Sequence, residues 1–180
     1  MKRVAALFVG IFFTMPVANA ADAVRVHVRA DRVHAGLAAF NRHDYVKAYR
    51  LLRLPAENGN AAAQGVLCFL YTEGYGVPRS WREAAFWCER AAEQGNVQAQ
   101  YMFGLLYNKG HGVPENYILA YKWLNLAASR ASGPKKEYSF RMRDSVATKM
   151  SPGQIERAQA LSLAWRPAPE IGVSAYDRVR

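Results

Sequence analysis

Part of this chain is written twice, 36 residues apart, and that repeat constrains the fold more than any other feature. Gly59-Asn60-Ala61-Ala62-Ala63-Gln64 returns as Gly95-Asn96-Val97-Gln98-Ala99-Gln100, and Gly74-Tyr75-Gly76-Val77-Pro78 returns as Gly110-His111-Gly112-Val113-Pro114. In the same register Tyr71 pairs with Tyr107, Ala84 with Ala120, Trp87 with Trp123, and Ala91-Ala92 with Ala127-Ala128. A period of this length belongs to solenoids, whose units each form one supersecondary element and cannot bury an apolar face alone. The register runs on faintly upstream, where Tyr45, Trp81 and Tyr117 are evenly spaced, as are Ala48, Ala84 and Ala120. Residues 59–94 and 95–130 read as two full repeats. Residues 30–58 read as a degenerate helix pair in which Asn41-Arg42-His43-Asp44 replaces the long glycine loop with a shorter turn.

Each unit reads as two antiparallel helices. Ala99, Met102, Phe103, Leu106 and Tyr107 fall at helical spacing and define a helix A. Gly110 ends it, because glycine tolerates the left-handed conformation of a helix C-cap. Pro114 bars helix across the loop. Tyr117, Ala120, Tyr121, Leu124 and Ala127 then form one face of a helix B, with Ala120, Ala127 and Gly104 small enough for the two helices to approach closely. Trp123 and Tyr107 recur where packing demands bulk.

These residues resemble the Sel-one-like repeat (SLR) family, a branch of the tetratricopeptide-like superfamily. Its pattern of Ala-x-x-x-Leu-Gly-x-x-Tyr, then Gly-x-Gly-Val-Pro, then Ala-x-x-Trp and Ala-Ala is met by residues 100–107 and the motifs above. The match is closest over residues 58–129. Cys68 stands where the family prefers glycine, and Phe103 and Leu67 share its leucine position. The resemblance implies an all-α, right-handed α/α solenoid. It also implies an adaptor that scaffolds protein complexes, as many members do in bacterial envelopes, with no cofactor.

The two ends carry different signals. Lys2 and Arg3, the apolar run 4–13, Pro16 and the small-x-small triplet Ala18-Asn19-Ala20 read as a secretory leader over residues 1–20. The run is too short for a spanning helix, which takes about 20 apolar residues. The expected location is therefore periplasmic or secreted after cleavage near Ala20. At the other end, Ser151-Pro152-Gly153-Gln154 forms a capping box, and the helix it opens carries Ile155, Ala158, Leu161 and Trp165 along one side. Tyr138, Met142, Val146 and Met150 recur every four residues in a helix upstream. Residues 134–166 read as a C-terminal cap, which the resemblance implies is a helical hairpin, and residues 167–180 as a flexible tail. With 24 Lys and Arg against 14 Asp and Glu the chain is basic, and the excess gathers beyond residue 129. That end is able to touch anionic membrane or envelope polymers, although a solvated surface accounts for it more simply. Export and the lack of a recognition motif exclude nucleic acid as the partner.

Candidate chemistry is sparse. Cys68 on helix A and Cys88 on helix B lie at similar distances from the loop 74–78, so antiparallel helices bring them close. They either form a disulfide in an oxidising compartment or pack as two buried thiols. Some relatives of the resembled family are cysteine-rich and linked to binding or hydrolysing β-lactams, which supplies an alternative function. Ser132-Gly133-Pro134-Lys135 satisfies its Ser-x-x-Lys motif. Gly-Pro sits in the middle of that motif, neither Ser-Asp-Asn nor Lys-Thr-Gly occurs, and a linker between repeat and cap accounts for it better. His27, His34, His43 and His111 have no metal-ligand spacing, and His111 reads as a surface loop residue.

A solenoid binds along the concave side lined by its A helices. In the tetratricopeptide register the exposed positions are Gln98, Tyr101, Leu105, Asn108 and Lys109 in the second repeat, and Ala62, Gly65, Phe69, Thr72 and Glu73 in the first. The degenerate unit adds Val33. Phe69, Tyr101 and Leu105 are the kind of anchor that a peptide groove needs, unless a terminal segment folds over them. So short a groove suits a small epitope of a protein partner, or a second copy of the chain in a homodimer.

Overall fold

The computed structural model describes residues 20–168. Residues 1–19, which hold nearly all of the proposed leader, and residues 169–180, most of the expected tail, lie outside the described residues. Within them the chain is all-helical: α1 (Ala20–Asn41), α2 (Tyr45–Glu57), α3 (Ala61–Glu73), α4 (Trp81–Glu93), α5 (Val97–Lys109), α6 (Tyr117–Arg130), α7 (Gly133–Ala147) and α8 (Pro152–Ala164). Three antiparallel pairs, α1–α2, α3–α4 and α5–α6, stack so that α1, α3 and α5 form one layer and α2, α4 and α6 the other. This is the right-handed α/α solenoid that the repeat implies. Helix α1 reaches back to Ala20, ten residues beyond the start read for the degenerate pair.

The repeated residues set the ends of the helices. Asn60 and Asn96 cap α3 and α5, each accepting the backbone N–H three residues on, from Ala63 and Ala99 at 2.9 Å. Gly74 and Gly110 close the same helices in the left-handed conformation. Ser80 and Asn116, also 36 apart, cap α4 and α6. Where the A and B helices of a unit cross, one contact recurs three times in two chemical forms. A Cβ on Gly36 would come within 2.5 Å of Leu52, and one on Gly104 within 2.7 Å of Leu124. At the matching place in the middle unit Cys68 and Cys88 are joined by a disulfide, with Cα atoms 4.8 Å apart and both side chains fully buried.

Two devices hold one unit to the next. The buried amides of Gln64 and Gln100 donate to the carbonyls of Ala56 and Ala92, at the end of the preceding B helix. Gln94 in turn donates to Gln64 Oε1 at 2.7 Å. Arg130 stands at the position of Gln94 in the last unit, and its guanidinium lies over the Trp165 ring at 5.1 Å, so Gln100 Oε1 is buried without a hydrogen-bond partner. The second device is the glycine loop, which folds over the start of the previous B helix. Tyr75 stacks on Tyr45 with ring centroids 4.9 Å apart, and His111 stacks on Trp81 at 4.3 Å. His111 thus packs between units while staying partly exposed on its loop.

The end of the stack departs from a hairpin. Helices α7 and α8 each pack on α6 and hardly on one another, sharing a small second core of Ala120, Tyr121, Leu124, Val146 and Ala158. Tyr117 has no following glycine loop, and Lys149 takes that place with its ammonium 4.9 Å above the ring. The capping box at α8 is formed: Ser151 Oγ accepts from the Gln154 N–H at 3.3 Å, and the Gln154 side chain accepts from the Ser151 N–H at 2.8 Å. Ser151→Ala should lower stability by about 1 kcal/mol, read as a shift in the urea midpoint. An unchanged midpoint would show that α8 is held by packing alone. Beyond α8 the chain turns back to the B layer. The Trp165 indole N–H donates to Glu93 Oε2 at 3.0 Å, and the Ala168 N–H donates to the Glu93 carbonyl at 2.7 Å. Residue 168, grouped with the tail on sequence, is therefore tied down.

Candidate partner-binding cleft

The layer of A helices carries an open cleft of about 400 Å³. Helix α5 is its floor and presents Gln98, Tyr101, Leu105 and Lys109, while α3 supplies Phe69, Thr72 and Glu73. Seven of the eleven positions read as exposed on the A helices therefore border one cavity. Asn108 does not. It is 6% exposed, and its Oδ1 accepts from Lys149 Nζ at 3.0 Å, because the cap folds over the end of α5. Gly65 is also buried, beneath Asn96, whose Nδ2 would lie 2.8 Å from an added Cβ.

Five lining residues escaped the groove reading: Met102 and Leu106, taken as packing residues of α5, and Trp81, His111 and Met142. Trp81 and His111 close one end of the cleft as the stacked pair described above, and Met142 of α7 forms an edge. The available signal was the alignment of Trp81 with Tyr45 and Tyr117, which marks a position that a later loop must cover. Of the two expected coverings, the C-terminal one buries Asn108 and borders the cleft with α7 but leaves it open. Phe69, Tyr101 and Leu105 remain partly exposed. Phe69 packs edge-on against Phe40 with ring centroids 5.3 Å apart, which orients its ring in the apolar wall. Burial raises the pKa of the Tyr101 hydroxyl, with Arg141 opposing that shift and Tyr138 adding to it. The hydroxyl therefore stays protonated and can donate or accept a hydrogen bond.

A smaller recess of about 160 Å³ continues past Gln98 and Tyr101, where Lys135, Tyr138 and Ser139 of α7 form the far wall. Ser132-Gly133-Pro134-Lys135 is mostly helix rather than linker, since α7 begins at Gly133 and only Ala131 and Ser132 separate it from α6. Ser132 is its N-cap, extended at φ −126° and ψ 162° and making no side-chain capping bond. The Ser-x-x-Lys chemistry needs both residues on one helical turn in an enclosed site, whereas both side chains here are exposed. Among the described residues no group of three or more His, Cys, Asp or Glu side chains is placed to hold a metal ion. His43 instead engages Tyr45, with Nδ1 2.7 Å from the hydroxyl.

Stacked helix pairs with an aromatic cleft along one layer define a superhelical repeat protein of the α/α type. The Sel1 repeat model matches residues 37–60, 61–96 and 97–132, and the chain belongs to the Sel1 repeat family. Proteins of this family generally mediate protein–protein interactions. Among solved structures, the chain is similar to a protective antigen present in uropathogenic Escherichia coli strains that displays an SLR fold. The TM-score is 0.70 at 25% identity, covering 89% of this chain and 34% of that one. It is also similar to a Sel1 repeat protein from Oxalobacter formigenes, with a TM-score of 0.54 and 27% identity over 73% of this chain and 58% of the other. The chain thus spans about a third of the first protein and somewhat over half of the second. No curated protein matches it.

Proposed function

We propose that the chain is an exported adaptor that holds a protein partner of the bacterial envelope in the cleft along α3 and α5. The observation that carries this reading is the partly exposed row of Phe69, Tyr101 and Leu105 lining one cleft. Aromatic anchors set in a preformed pocket supply most of the affinity at protein interfaces. Export is supported by the leader-like residues 1–20 and by the Cys68–Cys88 disulfide, which an oxidising compartment maintains. Among the described residues no helix is long and apolar enough to cross a membrane. Affinity capture from envelope extract tests the reading, with the double variant Phe69→Ala/Tyr101→Ala as control. One or more proteins retained by the parent should be missing from the variant. Identical captured sets would remove the cleft from the binding surface.

A further inference from the structure

We infer that the occupant of this cleft is a short extended peptide segment of a partner protein that joins an apolar side chain to acidic residues. This rests on the reading of the cleft as a partner site and adds the partner's chemistry. Its length follows from the floor. From Gln98 to Lys109 α5 advances about 16 Å at roughly 1.5 Å per residue, a distance spanned by about five residues of extended chain at roughly 3.3 Å each. The middle of that path is apolar, with Phe69, Tyr101 and Leu105 facing one another.

The charges are asymmetric along the path. At one end Glu73 and Lys109 occupy matching positions of α3 and α5 and offset one another. At the other end Lys135 borders the recess beyond Tyr101. Arg141 holds its guanidinium 4.7 Å over the Tyr138 ring that walls the same recess, and its charge acts on the Tyr101 hydroxyl. Glu137, the acidic residue of α7 at this end, lines neither cavity. Asp144 is engaged by Arg143 at 2.6 Å. A peptide lying on Tyr101 and Leu105 therefore meets a positive end with no acidic counterpart on the wall, and carboxylates complement it. A diffuse contact between the basic surface and an anionic polymer would use the same cations but would have no need of Tyr101.

The test uses the purified full chain and fluorescein-labelled peptides with a Leu-Phe core, flanked by two Asp, two Asn or two Lys in either order. Binding is read by fluorescence anisotropy. The acidic set should bind about 10-fold more tightly than the neutral set at low salt, and that advantage should vanish at high salt. Lys135→Glu/Arg141→Glu changes two exposed side chains and should bring the affinity of the acidic set down to or below that of the neutral set. Tyr101→Ala should weaken all sets. Equal binding of acidic and neutral peptides, both still weakened by Tyr101→Ala, would overturn the acidic partner and leave the cleft standing. Acidic binding that ignores Tyr101→Ala and is shared by polyaspartate would also overturn it, as a diffuse electrostatic contact. No binding by any set would remove both the peptide and the cleft.

Discussion

Gly112→Ala should cost about 3 kcal/mol of stability, whereas Gly133→Ala, at a residue with the same sign of φ, should cost about 1 kcal/mol. The two positions separate strain from collision. Gly133 has φ +56° and nothing within 4 Å of an added Cβ, so only the left-handed conformation penalises alanine. Gly112 has φ +73°, and its Cβ would overlap the carbonyl oxygen of Trp81, lie 2.6 Å from the carbonyl carbon and 3.1 Å from Ala85 Cβ. Backbone at the start of α4 cannot step aside as a side chain tip can, so relief requires the two repeats to part. His111 and Trp81, which close the cleft, would part with them, so peptide affinity should fall alongside stability. Urea unfolding of both variants decides it. If Gly112→Ala cost no more than Gly133→Ala, the loop would not be seated on the preceding helix.

That glycine also marks how far a sequence can be read. Gly110 and Gly112 announce a turn because only their own backbone needs the positive φ, which is local information. The helix faces follow from spacing in the same way, and so do the places of Phe69, Tyr101 and Leu105 on the A layer. What Gly112 touches is not local. Its partner is Trp81, 31 residues earlier in the chain, and nothing in the loop states which helix it will meet. The same limit explains Asn108, which sits at an outward position of α5 and is covered by Lys149, 41 residues later. The cap misled for another reason. The resemblance implied a terminal hairpin, yet α7 and α8 both pack on α6, whose outer face offers Tyr121 and Leu124 to cover. The residues of α7 that border the cleft, Lys135, Tyr138 and Met142, were read only as parts of a cap, because the pattern along α7 does not say which neighbour they approach.

Removing the disulfide with Cys68→Ala/Cys88→Ala should lower stability by about 3 kcal/mol and the melting temperature by roughly 6–12 °C. The bond closes a loop with a sequence separation of 20, and that restriction of the unfolded chain accounts for the figure. The repeat itself supplies a second variant that isolates this term from packing. Gly104 and Leu124 occupy the same crossing in the next unit without a covalent bond, and Gly36 with Leu52 does so in the preceding one. Cys68→Gly/Cys88→Leu therefore imports a contact already accommodated on either side. It adds a helical glycine, which costs about 1 kcal/mol, and fills with leucine the space that alanine leaves, worth roughly 2–3 kcal/mol. This variant should be more stable than the alanine pair, less stable than the oxidised parent, and indifferent to reductant. Equilibrium urea unfolding with and without dithiothreitol reads all three. A parent whose midpoint ignored the reductant would show that the covalent bond contributes nothing beyond the packing its neighbours achieve with glycine and leucine.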